Sequence, residues 1–164
     1  MEKNAVLERL TQIPLFAAIK NNDEYMEKLV EISKTRKYKR NDVIIREGEI
    51  GAEMFIVLSG SVEILKRTRA GDNYTVIRLK AEHNVFFGEL ALIDDDKRSA
   101  TVNASSDSEF LVITKEGFIS LGDKHPEIGL PVTREIAKII SSRLRKTTGD
   151  MLTIFDALVS EIQG

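Results

Sequence analysis

Between Tyr38 and Thr114 the apolar residues of this 164-residue chain lose any helical spacing and gather in short runs, which restricts the possible folds sharply. The runs are Val43-Ile44-Ile45, Met54-Phe55-Ile56-Val57-Leu58, Val62-Glu63-Ile64, Thr75-Val76-Ile77-Arg78-Leu79, Thr101-Val102 and Phe110-Leu111-Val112-Ile113. They are rich in β-branched and aromatic side chains, which fit a pleated surface. Gly48, Gly51, Gly60 and Gly71-Asp72-Asn73 stand between them, where strand-to-strand turns need small or locally hydrogen-bonding residues. Short strands punctuated in this way predict an antiparallel barrel or a jelly roll.

Helical patterns flank the strands. Val6, Leu7 and Leu10 define one over Asn4–Leu10, and Tyr25, Met26, Leu29, Val30 and Ile32 define a clearer one over Glu24–Lys34. The connector Ile13-Pro14-Leu15-Phe16 is apolar enough to seal one end of a core. After Thr114 a short helix over Lys115–Leu121 is expected to stop near Gly122, and His125-Pro126-Glu127 starts another. Pro131 should kink or restart it, for want of a backbone donor. Ile136, Ile139, Ile140, Leu144, Met151, Leu152, Phe155, Leu158, Val159 and Ile162 then continue an apolar stripe at steps of three and four, interrupted at Gly149. The expected organisation is one domain: helical segment 1–36, β-barrel 37–114 and C-terminal helices 115–164.

The stretch Phe86–Ala104, FFGELALIDDDKRSATVNA, carries the chemistry. Gly88 lets the backbone approach an anion closely, and the N–H groups that follow can point at one anionic group. Arg98 offers a planar fork that matches two phosphate oxygens. Glu89 would repel a phosphate but is a good acceptor for a sugar hydroxyl. A ligand with a phosphate and a hydroxyl on one small frame would satisfy these groups together. The acidic run Asp94-Asp95-Asp96 lacks the spacing of a calcium loop and reads as a solvated turn.

Phe87-Gly88-Glu89-Leu90-Ala91-Leu92 followed by Arg98-Ser99-Ala100-Thr101-Val102 resembles the phosphate-binding cassette of cyclic-nucleotide-binding domains, such as the bacterial catabolite activator and the protein kinase A regulatory subunit. Lys97 stands where the kinase branch often has proline, and Asn84-Val85 where many members have Gly-Asp. The resemblance implies a mainly β fold, an eight-stranded antiparallel jelly-roll barrel between N-terminal helices and a long C-terminal helix. It also implies that Glu89 takes a ribose 2′-hydroxyl and Arg98 an exocyclic oxygen of the cyclic phosphate. Backbone N–H groups around Leu90, Ala91, Ser99 and Ala100 would complete the cradle beside Gly88. Leu79 falls near the family's apolar wall for the base, a position that plain core packing explains equally. Arg143, with Ser142, falls near where the long helix presents side chains to the purine. The implied ligand is cAMP, with cGMP possible, since a Ser99 hydroxyl suits either. The expected function is a sensor that converts binding into rearrangement of the C-terminal helix; the alternative is a similar fold with an empty or different pocket, serving as a dimerisation module.

Composition narrows the rivals. The chain has no cysteine, which excludes disulfides and thiol chemistry and fits a reducing cytoplasm, the expected location. A cupin-type metal enzyme would need clustered histidines, and the chain has only His83 and His125, so no enzyme activity is expected. No stretch approaches the ~20 apolar residues of a membrane span. With a formal charge of −2, Lys138, Arg143, Arg145 and Lys146 mostly off the apolar stripe, and no recognition helix before Gly164, specific DNA binding is not expected. The expected partners are the nucleotide, a downstream effector protein of unknown identity, and a second copy of the chain through the long helix. The competing expectation is that Gly149-Asp150 breaks that helix and folds its end back.

Overall fold

A computed structural model of the chain describes residues 3–67 and 73–163. Helices α1 (Lys3–Thr11) and α2 (Asp23–Glu31) precede the strands, and α3 (Lys115–Lys124) and α4 (Pro126–Gln163) follow them. The strands are β1 (Ser33–Tyr38), β2 (Val43–Ile45), β3 (Glu53–Ser59), β4 (Ser61–Arg67), β5 (Asn73–Lys80), β6 (Phe86–Phe87), β7 (Thr101–Ala104) and β8 (Ser108–Thr114). They form two antiparallel four-stranded sheets, ordered β1-β8-β3-β6 and β2-β7-β4-β5. Apart from the β4–β5 pair, consecutive strands lie in different sheets, so the chain alternates between layers as in a jelly roll. The expected turn at Gly71-Asp72 lies outside the described residues.

The unbroken apolar runs of β3 and β8 follow from burial on both faces. Strand side chains alternate, so one run feeds two cores. Met54 and Ile56 of β3, with Leu111 and Ile113 of β8, face Leu10, Phe16, Leu29, Phe118 and Ile136 of the helical layer. Phe55, Val57, Phe110 and Val112 turn the other way, between the sheets, where they meet Ile45, Val62, Phe87 and Val102. Phe55 stacks on Phe87 with centroids 5.2 Å apart, and Phe110 stands edge-on to both rings. Ile13, Leu15 and Phe16 of the connector are buried, Pro14 is exposed, and Pro14–Phe16 form a 3₁₀ turn.

Several boundaries differ from expectation. The α2 helix ends at Glu31, and Ser33 and Lys34 belong to β1, a strand that periodicity does not show. As an edge strand, β1 is held by its ladder with β8 and by Arg36, whose guanidinium is bidentate to Glu53 at 2.8 and 2.9 Å. Charges suit an edge that must not recruit further strands. The α3 helix runs through Gly122, which serves a close helix crossing: a Cβ on Gly129 of α4 would stand 2.6 Å from the Gly122 Cα. Neither Pro131 nor Gly149 ends α4, which is one helix from Pro126 to Gln163. Buried Ile128 and Val132 hold the register on either side of Pro131. Gly149 stays helical, and the Thr153 hydroxyl donates to its carbonyl at 3.1 Å. The expected fold-back of the C-terminal segment is therefore overturned.

Candidate functional site

The cassette begins where β6 pairs with β3, Phe87 opposite Phe55. Gly88 then turns the chain with φ +77°, a left-handed conformation that strains other residues. A 3₁₀ turn over Glu89–Leu92 follows, closed by the Ala91 N–H donating to the Gly88 carbonyl at 3.2 Å. Buried Ala91 and Leu92 pin that turn to the core. The acidic turn after it is not simply solvated. Lys115 Nζ, at the start of α3, donates to the Asp94 carbonyl at 2.7 Å and to Asp95 Oδ1 at 2.6 Å.

Arg98 sits beneath the turn. Its guanidinium donates to the Glu53 carbonyl at 2.7 Å and, more weakly, to the Gly88 carbonyl at 3.3 Å. It lies flat against Gly51, where a Cβ would collide with Nε and Cζ. Gly51 thus provides a close approach, not a positive-φ turn. Burial lowers the Arg98 pKa from its ordinary value, while Glu53, Asp94 and Glu89 pull the other way. Two of its five N–H donors are used by these bonds, so donors remain for an anion.

Glu89 is 2% exposed, a buried carboxylate in need of a partner. Arg143 of α4 supplies it, donating from Nη1 to Glu89 Oε1 in a short ion pair. The long helix therefore reaches into the cassette at its acidic residue.

These groups line one cavity of about 490 Å³. Gly88, Glu89, Leu90 and Ala91 form one polar wall and Arg98, Ser99 and Ala100 another. Leu79 lies with Ile64, Val76, Ile77 and Phe87 on an apolar wall, and Arg143 lies at the α4 side. The expected residues thus share one space, except Ser142, which does not line it. Lys66, Lys97, Asp94 and Asp96 also line it and were not expected to. Lys66 was discoverable, since strand alternation places it on the face of Ile64. The carbonyl of Glu53 and the surface of Gly51 were not, because they come from the start of β3 and the loop before it. A second cavity, of about 460 Å³, lies against Arg98 and Gly51 from the β2–β3 side. His83 and His125 pair with neighbouring Glu82 and Glu127. Among the described residues no cluster of three His, Cys, Asp or Glu could hold a metal, and no helix is long and apolar enough to cross a membrane.

A charged cradle, a buried carboxylate and an apolar wall suit a small organic phosphate. Comparison with known proteins agrees. A cGMP-dependent protein kinase of Eimeria tenella is 37% identical over 101 residues, covering 61% of this chain and 9% of the kinase. A cAMP-dependent protein kinase regulatory subunit of Mycosarcoma maydis is 32% identical over 108 residues, covering 64% of this chain and 20% of the subunit. The chain thus spans a small part of these relatives. The crystal structure of the Thermus thermophilus catabolite activator protein superposes with a TM-score of 0.74 at 26% identity, over 84% of this chain and 61% of that one. The family model described as "cyclic nucleotide-binding domain" matches residues 35–125. Domains of this kind regulate and are not catalytic by themselves. With more than half its length matched and the cassette assembled around one cavity, this chain belongs to the cyclic nucleotide-binding domain family.

Proposed function

We propose that the cavity binds cAMP or cGMP and that occupancy is transmitted to α4 through Glu89. Arg98 takes an exocyclic phosphate oxygen, with backbone N–H groups of the two cassette arms completing the cradle. Glu89 accepts the ribose 2′-hydroxyl, and the wall of Leu79, Val76 and Ile77 receives the base. The relatives support this ligand class, one being named a cGMP-dependent and the other a cAMP-dependent kinase component.

The observation that carries the coupling is the Glu89–Arg143 ion pair. One oxygen of the carboxylate takes Arg143, and a carboxylate has acceptor sites for a hydroxyl as well. Ligand and helix therefore meet on one buried group. Any ligand preference between two positions of α4 is matched by an equal effect of α4 on ligand affinity. We also read the projecting half of α4 as a homodimer contact, since Phe155, Leu158 and Ile162 are 61%, 53% and 83% exposed.

Calorimetric titration of Glu89→Gln and Arg143→Gln with cAMP, cGMP and their 2′-deoxy analogues tests both roles. Glu89→Gln is expected to weaken the ribonucleotides by about ten-fold or more and the deoxy analogues much less, the effect of one charge-assisted hydrogen bond. Arg143→Gln should change the affinity for the ribonucleotides. Equal losses for ribo and deoxy ligands would contradict the role of Glu89. Unchanged ribonucleotide affinity in Arg143→Gln would contradict the coupling.

A further inference from the structure

Arg9 of α1 lies outside the cavity, yet it grips the loop that joins two of the cavity's walls. On α1 the buried residues Val6 and Leu10 face the core, and Arg9 between them reaches the segment after β5. Its guanidinium donates to Asn84 Oδ1 at 2.5 Å, to the Val57 carbonyl at 3.0 Å, and to the Ala81 carbonyl. The segment turns through a 3₁₀ turn at Ala81–His83 and a left-handed Asn84, with φ 53°, before entering β6. Its other anchors lie at the same place: the Val57 N–H donates to the Val85 carbonyl, and the Ala81 N–H to the Gly60 carbonyl. Arg9 thus ties the N-terminal helix, the end of β3 and this loop together.

The loop's flanks are what make it matter. Leu79 just before it and Phe86, Phe87 and Gly88 just after it all line the cavity. A shift in the loop changes the distance between the apolar wall and the turn that carries Glu89. The grip also has a cost, since Arg9 Nε is buried without a hydrogen-bond partner and burial lowers the Arg9 pKa. A half-buried cation with one unmet buried donor is a poor choice for stability alone.

We infer that Arg9 is a positioning residue for the cyclic-nucleotide site, holding loop 81–85 and through it the spacing of the cavity walls. The ligand in this inference rests on the function proposed above; the hold on the loop does not. The test compares Arg9→Met and Arg9→Lys with Val6→Ala, a change in the same helix that leaves the Arg9 contacts in place. Affinities for cAMP and cGMP are measured by calorimetry well below each variant's melting temperature. Amide exchange over residues 79–87 is measured without ligand, with β8 as internal reference. Arg9→Met should weaken nucleotide binding by about ten-fold, as for the loss of charge-assisted hydrogen bonds. Arg9→Lys should recover part of the loss, and Val6→Ala should leave affinity unchanged. Exchange over 79–87 should quicken relative to β8 in Arg9→Met and not in Val6→Ala. Unchanged affinity in Arg9→Met, or an equal loss in Val6→Ala, overturns the inference. If the wild type binds neither nucleotide, the proposed function fails separately and exchange alone decides the hold on the loop: selective quickening in Arg9→Met supports it, and its absence overturns it.

Discussion

Arg98 owes its position to a residue from a different loop. The bare surface of Gly51 lets its guanidinium lie flat and reach the Glu53 carbonyl. A methyl group there would collide with Nε and Cζ, so the flexible end of Arg98 must swing away from this position. Gly51→Ala is therefore expected to displace Arg98 and weaken cyclic-nucleotide binding by about 1.5–3 kcal/mol, the value of hydrogen bonds to a charged group. Titration checks this, and wild-type affinity in Gly51→Ala would contradict it. The contrast between Arg98 and Gly51 shows what the sequence makes legible. The cassette residues are consecutive, so glycine, acid and arginine appear together in one stretch. Gly51 reads only as a turn residue, because its service to Arg98 is a contact across the fold. Arg9 gives no signal at all, since an arginine on an amphipathic helix ordinarily faces water.

Elements were legible where their apolar pattern had one clear cause. Strands β3 and β8 appear as solid runs because both faces are buried, and α2 as a stripe because one face is. Strand β1, SKTRKY, has no such pattern, being held at an edge by its ladder and the Arg36–Glu53 pair. Strand β6 is two residues long, too short for any period. In α4, Pro131 and Gly149 suggest breaks that local propensity favours and the helix does not take. Packing on both sides overrides Pro131. A methyl group added to Gly149 would meet nothing within 4 Å, so the helix merely tolerates the glycine. Gly149→Ala should accordingly stabilise the projecting half of α4 by about 1 kcal/mol. Amide exchange around residues 143–155 should slow by about five-fold, that free energy expressed as a ratio. Faster exchange would show that the glycine supports a bend in solution.

At the scale of the molecule, the run lengths imply a barrel or jelly roll, whereas the strand count comes from the family resemblance. The pairing order itself was not legible, because partners such as β1 and β8 lie far apart in sequence. The same scale exposes the end of α4. At ~1.5 Å per residue a helix of this length reaches roughly 57 Å, well beyond the sheets it packs on. Ile136 is buried, whereas Leu144, Met151, Phe155 and Leu158 are open. Pairing two such helices about a twofold axis would cover these residues. Light scattering should therefore give the mass of a dimer, and Phe155→Glu with Leu158→Glu should give a monomer that still binds nucleotide. A monomeric wild type would rule the dimer out. The central claim is that the cavity is a cyclic-nucleotide site organised by Arg98, and titration of the purified chain and of Arg98→Ala with cAMP and cGMP tests it most directly. The account predicts saturable binding of at least one of the two by the wild type, with a loss of about 3 kcal/mol, roughly a hundred-fold, in Arg98→Ala. No binding of either at millimolar concentration, or equal binding by Arg98→Ala, would contradict it.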